Sequence, residues 1–292
     1  MRFAVDIPPF GPFADVRLLA DLAYEAEEAG WDGFFLWDHL VWDGFPIADT
    51  WVALTAIAVK TSTIRIGPMV TPLPRRRPTK VARESATLDQ LSHGRLILGV
   101  GIGGGEAEWD NFGEQADLKE RAAMLDESLD VLTGLWSGEP FSYHGEHYTV
   151  RGEGDRGTLT FQPTPVQRPR IPIWVAGVWP RKAPFRRAAR WDGVVPLRTD
   201  TQFSDMMTPE QVAEIVAYIR QERTSTVPFD VSHWGITTGD DVARDRAIVR
   251  EYAAAGVTWW RENLSPWRFG WDWKGELPVA AMRERIRRGP PK

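Results

Sequence analysis

The sequence predicts a (β/α)8 barrel, of the TIM type, and three observations predict it. Short apolar runs alternate with longer amphipathic stretches along almost the whole chain. The alternation makes eight strand-then-helix units, and such units demand a parallel sheet with right-handed crossovers that closes naturally into a ring. No interior linker divides the 292 residues, so they read as one barrel domain carrying an insertion rather than as two domains. A doubly wound open sheet is the runner-up.

Each element has its own warrant. The apolar run 3–7 precedes a helix over 15–30, where Leu18, Leu19, Leu22, Ala23, Ala26 and Ala29 recur at helical spacing and Gly30 supplies the C-cap. Strand 33–37 with helix 49–60, strand 64–70 with helix 78–92, and strand 96–100 with helix 117–136 follow. An insertion then spans about 139–171. In it 141–150 reads as a β-hairpin turning at Gly145-Glu146, a leading glycine suiting a type II′ turn, before a Gly/Pro-rich stretch over 152–172. The alternation resumes with strand 173–176 and helix 183–190, 194–197 and 209–223, 229–233 and 240–255, and 257–261 and 279–288.

Composition excludes several chemistries. With no cysteine there is no disulfide scaffold, thiolate zinc site, iron–sulfur cluster or cysteine nucleophile. A net charge of −5 argues against a general nucleic-acid binder. The longest apolar run, 52–59, is too short to span a bilayer. The N-terminus, Met1-Arg2-Phe3-Ala4-Val5-Asp6, meets an acid and two prolines too early for a signal peptide, so a cytoplasmic protein is expected. His144 and His147 have no third ligand at recognisable spacing, so no metal site is expected.

Barrel active sites lie at the C-terminal ends of the strands. There the chain places Phe10, then Trp37-Asp38-His39 and Trp42, then Met69-Val70-Thr71 followed by Arg75, Arg76 and Arg77. Further on come the glycine run from Gly99 through Gly101 to Gly105, Glu106 and Trp109, then Gly177-Val178-Trp179-Pro180-Arg181-Lys182, His233 with Trp234, and Arg261 with Glu262. An aromatic, glycine-rich, locally basic mouth suits a flat aromatic ligand with an anionic tail. Gly99, Gly101 and Gly104 match G-x-G-x-x-G, but after the fourth strand rather than the first, which speaks against a dinucleotide fold. Gly177 ahead of a helix whose first turn carries Arg181 and Lys182 reads as a phosphate site. Arg75–Arg77 reads equally as an anion grip or as a solvated loop. A barrel hydrolase pairing Asp38, Glu106 or Glu262 is the competing chemistry.

The strings Phe34-Phe35-Leu36-Trp37-Asp38-His39-Leu40, Ile66-Gly67-Pro68-Met69-Val70-Thr71-Pro72 and Gly94-Arg95-Leu96-Ile97-Leu98-Gly99-Val100-Gly101 resemble the bacterial luciferase-like flavin- and deazaflavin-dependent oxidoreductases. Pro172-Ile173-Trp174-Val175-Ala176-Gly177 and Ala188-Ala189-Arg190-Trp191-Asp192-Gly193 extend the resemblance, which runs to about residue 262. It implies a barrel with an insertion that binds FMN or the 8-hydroxy-5-deazaflavin coenzyme F420 at its mouth, as a homodimer. It implies that Met69-Val70 forms a bulge, often with a cis peptide, under the ring. Asp38 and Thr71 would meet the ring's edge or ribityl chain, Gly101 would lie close to the ring, and Gly177, Val178, Trp179 and Arg181 would hold the phosphate. His39 and Glu106 would be catalytic, and Phe10, Trp42, Trp109, Trp234 and Glu262 would line the pocket for a small organic substrate. The leading expectation is a flavin-dependent oxidoreductase of monooxygenase type, with a flavin reductase as candidate supplier of reduced flavin. The alternative is F420-dependent hydride transfer, and an idle flavin-binding relative is a third reading.

Overall fold

The structure is a computed structural model that describes residues 1–42, 44–105, 107–152, 157–199, 205–272 and 274–292. Its elements are β1 (Arg2–Ile7), α1 (Val16–Glu28), β2 (Gly33–Leu36), α2 (Thr50–Lys60), β3 (Arg65–Pro68), β4 (Thr71–Pro72), α3 (Pro78–Leu91), β5 (Leu98–Gly101), α4 (Ala107–Asp110) and α5 (Leu118–Trp136). The hairpin strands β6 (Tyr143–His144) and β7 (Thr149–Val150) come next. Then follow β8 (Ile173–Trp179), α6 (Lys182–Ala188), β9 (Gly193–Arg198), α7 (Pro209–Glu222), β10 (Asp230–Gly235), α8 (Val242–Ala254), β11 (Trp259–Asn263) and α9 (Val279–Arg287). Helix starts follow from side chains that take up free backbone N–H groups: Asp15, Asp49, Asp117 and Asp241 cap α1, α2, α5 and α8, and Thr208 with Gln211 forms a capping box on α7.

The parallel strands run β3-β2-β1-β11-β10-β9-β8-β5-β4 around the molecule. β3 pairs with β2 and β4 with β5, and a parallel bridge between Ile66 and Leu96 joins the two ends. β3 and β4 are therefore one stave broken at Met69-Val70, and the ring closes as the predicted barrel rather than the open sheet. The predicted strand 64–70 is interrupted there: the Met69-Val70 peptide is cis and both residues lie between β3 and β4, while the Met69 N–H still donates to the Leu36 carbonyl at 2.7 Å.

Alternation along the strands makes two cores. Ala4, Phe35, Met69, Ile97, Trp174, Val195 and Trp259 pack inside the ring, and a larger cluster packs the outward side chains against the helices. Glycines let the broken stave approach its neighbour. A Cβ on Gly67 would lie 1.9 Å from the Ile97 carbonyl oxygen, and one on Gly99 2.3 Å from that of Pro68.

Several boundaries move. β8, β10 and β11 run two or three residues past their predicted ends, which carries Trp179, Trp234 and Glu262 into strands. The hairpin forms, but its turn is a four-residue loop over 145–148 rather than a two-residue turn, and Gly145, which opens it, does not take a positive φ. Tyr143 pairs with Val150 and His144 with Thr149, and the Glu127 carboxylate on α5 accepts from the N–H groups of Glu146, His147 and Tyr148. A carboxylate, rather than a left-handed glycine, organises that turn.

Candidate active site

Beyond β2 the chain turns over the C-terminal end of the barrel and presents Trp37, Asp38 and His39 to a cavity of about 620 Å³. The Trp37 indole donates to Asp6 Oδ1 at 3.0 Å, and the Thr50 hydroxyl donates to the Trp37 carbonyl at 2.5 Å, which fixes where the turn leaves the strand. Asp38 is buried. It accepts from the Thr71 hydroxyl at 2.7 Å and from Arg76 at 2.9 Å to both carboxylate oxygens.

Opposite stands Glu108, on the short helix α4 that follows the glycine run. Its Oε2 lies 3.2 Å from His39 Nδ1 and accepts from Arg75 Nη1 at 3.0 Å, while Oε1 accepts from the Leu40 N–H at 2.6 Å. Burial raises the Glu108 carboxyl, but the hydrogen bond and charge of His39, the Leu40 amide and Arg75 outweigh it and hold it down at about 2. An ionised Glu108 accepts only, so neutral His39 carries its proton on Nδ1 and its lone pair on Nε2, the atom then able to take a proton. Trp42 stands edge-on to the imidazole at 4.8 Å and narrows its freedom.

The inner end of the cavity is also polar. Asp6 on β1 and Arg261 on β11 both line it and pair with each other. Burial pushes the Asp6 carboxyl up against the pull of Arg261 and Trp37, and burial pulls the Arg261 guanidinium down against Asp6. Between these polar ends the walls are Met69, Val70, Ala176, Val195 and Leu197, with the open backbone of Gly103–Gly105 to one side.

A family model described as luciferase-like monooxygenase matches residues 8–220. The chain belongs to this family. An F420-dependent glucose-6-phosphate dehydrogenase of Nakamurella multipartita is 34% identical over 209 residues, 68% of this chain and 57% of that protein. One of Amycolatopsis mediterranei is 38% identical over 48% of this chain and 43% of its own length. The chain thus spans about half the length of these curated relatives. Among solved structures, the monooxygenase RslO1 of Streptomyces bottropensis superposes with a TM-score of 0.75 at 20% identity, covering 98% of this chain and 97% of its own. An F420-dependent secondary alcohol dehydrogenase superposes at 0.70 and 17%, covering 89% and 92%. At such identities these likenesses show the fold.

In this luciferase-like chain the expected site residues fall into three groups. Asp38, His39, Trp42, Met69, Val70 and Trp234 meet at the cavity. A second group supports its walls: Phe10 stacks on Trp42 at 5.5 Å, Thr71 is fully buried under Asp38, and a Cβ on Gly101 would face Val70 and Ala176. Trp109 is also buried, its indole donating to the Gly104 carbonyl at 3.2 Å under the Arg121 guanidinium, so it braces the glycine run without lining the cavity. The third group lies on β8 and just beyond it. Gly177 faces Pro184 and Phe185, the Trp179 ring packs on Phe185 and Tyr218, Val178 is half-buried, and Arg181 is exposed beyond the strand end. Glu106 lies outside the described residues.

Two expectations need correcting. Arg75 and Arg76 are neither a solvated loop nor a free anion grip, because Arg75 pairs with Asp38 and Glu108 and Arg76 pairs with Asp38. Glu262 does not line the cavity. Inward and outward positions alternate along β11, so Arg261 points in and Glu262 points out, where it meets Thr237, Trp260, Arg268 and Arg285. His233 likewise points out, stacked on Tyr252 at 5.0 Å, and burial with the nearby Arg261 pushes its pKa down to about 3. Glu262→Gln is therefore expected to destabilise the fold by about 3–5 kcal/mol, the loss typical of breaking a buried ion pair, with ligand affinity retained. A denaturant titration beside a binding titration checks both halves.

Sequence reasoning passed over Glu108, Asp6 and Asn263, and placed Trp37 and Arg261 at strand ends without giving them a role; all five line the cavity. Strand parity could have chosen Arg261 over Glu262. Nothing local distinguishes Glu108 from Glu106, because the choice depends on where α4 begins.

Proposed function

We propose that the chain is an oxidoreductase that moves a hydride between a carbinol or carbonyl carbon of a small organic substrate and a flavin-type ring seated at the barrel mouth. The His39–Glu108 pair carries the reading. Such a ring has places that fit it: a cavity of about 620 Å³, within the size usual for cofactor sites, and walls from which side chains are missing. A Cβ on Gly101 would come within 3.1 Å of Val70 and 3.5 Å of Ala176, whereas Gly104 and Gly105 have nothing within 4 Å of theirs. Met69, Val70 and Ala176 would hold the ring face, Asp38 its polar edge, and Arg181 with the Gly177-Val178 backbone the phosphate.

When bound, the ring supplies a two-electron acceptor or donor. The chain handles the proton. His39 Nε2 takes the substrate hydroxyl proton as the carbinol hydrogen leaves as hydride, and the alcohol becomes a carbonyl. Glu108, still ionised, stabilises the imidazolium that results, and in the reverse direction His39 returns the proton. Trp37, Trp42 and Trp267, stacked and tilted within about 6 Å of one another, keep water from the reacting atoms.

F420 is the preferred coenzyme in this reading, since a proton acceptor is what alcohol oxidation requires and the curated relatives at 34% and 38% identity are F420-dependent by name. The second reading is a monooxygenase using reduced FMN, supplied by a flavin reductase, and the apolar aromatic mouth favours it by sheltering an oxygen-reactive ring. A cytoplasmic homodimer completes the proposal, with sedimentation as its check. Titrating the protein separately with F420 and FMN, followed by ring fluorescence, should show at least tenfold tighter F420 binding and bleaching of bound F420 on adding a secondary alcohol. Preferred FMN binding with substrate-dependent oxygen uptake would instead establish the monooxygenase.

A further inference from the structure

The charges around the cavity compensate one another. Asp6, Asp38 and Glu108 bring three carboxylates, and Arg261, Arg75 and Arg76 bring three guanidiniums, each paired with at least one of those acids. With His39 neutral they sum to zero, and among the described lining residues no guanidinium is left over for an anion. Both members of the inner pair are nearly inaccessible: the side chains of Arg261 and Asp6 are 3% and 6% exposed. Arg261 still has hydrogen-bonding capacity, because its Nε has no partner among the described residues. Asn263 lies beside it in the cavity wall, and the intervening walls are apolar.

We infer that the Asp6–Arg261 pair determines specificity by admitting neutral substrates that carry one hydrogen-bonding oxygen, ketones and alcohols, and by turning away anions such as sugar phosphates. A neutral oxygen can accept from the spare guanidinium N–H without disturbing the pair. An anion must either pull Arg261 away from a buried carboxylate or lose its own hydration beside three carboxylates, and both are costly in a low-dielectric enclosure. The inference rests on the proposed function only in taking this cavity as the substrate site.

Binding tests it without turnover. Calorimetric titration of the protein with cyclohexanone and with cyclohexanecarboxylate, which are similar in size and differ in charge, should give the ketone at least a tenfold advantage, and glucose 6-phosphate should bind no better than the carboxylate. Asp6→Asn keeps the side-chain shape but frees the guanidinium, and should shift the ratio at least tenfold towards the carboxylate. Adding Arg261→Gln to that variant should remove the gain. Equal affinities in the unmodified protein, a tighter carboxylate, no ketone binding, or an Asp6→Asn ratio that does not move would each overturn the inference. If the variant does not fold, the comparison on the unmodified protein still decides. A protein that shows the preference but fails to bleach F420 refutes the proposed function and leaves the specificity standing.

Discussion

Replacing His39 with alanine is expected to lower kcat by about 10²–10⁴-fold, the usual contribution of a positioned acid–base group, with coenzyme binding nearly unchanged. The expectation follows from the division of labour in the cavity. In the proposed function the ring would be held by Met69, Val70 and the glycine run, whereas His39 supplies the only lone pair that a neutral base offers among the described lining residues. Glu108→Gln separates orientation from charge. Its amide oxygen can still accept from Nδ1, so the tautomer survives, but the imidazolium formed in the reaction loses its counter-charge. A fall of roughly 10–100-fold is expected, corresponding to about 1.5–3 kcal/mol for a hydrogen bond between charged groups. Since the wild-type carboxyl is held at about 2, Glu108 adds no limb to the rate profile near neutrality. Its contribution to stability is fully present above its unfolded value of about 4.5 and fades as the pH falls towards 2, because the unfolded chain then takes up the proton first. Rate profiles and acid denaturation of the two variants, compared with the parent, check these statements. An undiminished kcat in His39→Ala would remove the proposed base.

The largest structural effect is expected from Gly67→Ala. The added carbon would sit 1.9 Å from the Ile97 carbonyl oxygen, and that oxygen belongs to backbone in the barrel seam, so relief requires two staves to separate. A loss of about 3 kcal/mol or more is expected, at or beyond the upper end for overpacking. The damage should reach the coenzyme site, since Met69 and Val70 follow two and three residues later. Gly104→Ala is the contrast: its Cβ would meet nothing within 4 Å, and the denaturation midpoint should not move. Urea titrations of both variants, with coenzyme binding measured alongside, decide the matter. A Gly67→Ala protein as stable as its parent would mean that the seam is looser than its geometry implies.

The barrel was legible in the sequence because it is written redundantly. Each unit carries a strand run, a helix period and a cap or glycine, so an error at one boundary leaves the others standing. The candidate cavity was legible at His39 and Asp38, which line it, sit directly beyond a strand and are distinctive residues in an apolar setting. It was less legible wherever one position decides the meaning. Arg261 and Glu262 are adjacent and both ionisable, and only the exact phase of β11 says which enters the ring. Glu108 owes its place to a single turn of helix after a run of glycines, a stretch with almost no local preference of its own. Asp6 was invisible for a different reason: its partner is 255 residues away in sequence, and no spacing rule connects the first strand of a barrel to the last.

Arg75 and Arg76 are neighbours at the end of one short turn after β4, and between them they grip an acid from the β2 loop and an acid from α4. Two parts of the chain some seventy residues apart are thereby tied to a single anchor. His39 cannot drift from Glu108 without dragging that anchor, and the anchor is continuous with the stave that would lie beneath the proposed coenzyme. The proposed base, its counter-charge and the proposed ring support consequently share one frame of reference, and a disturbance anywhere in it should be felt as a change in alignment at all three.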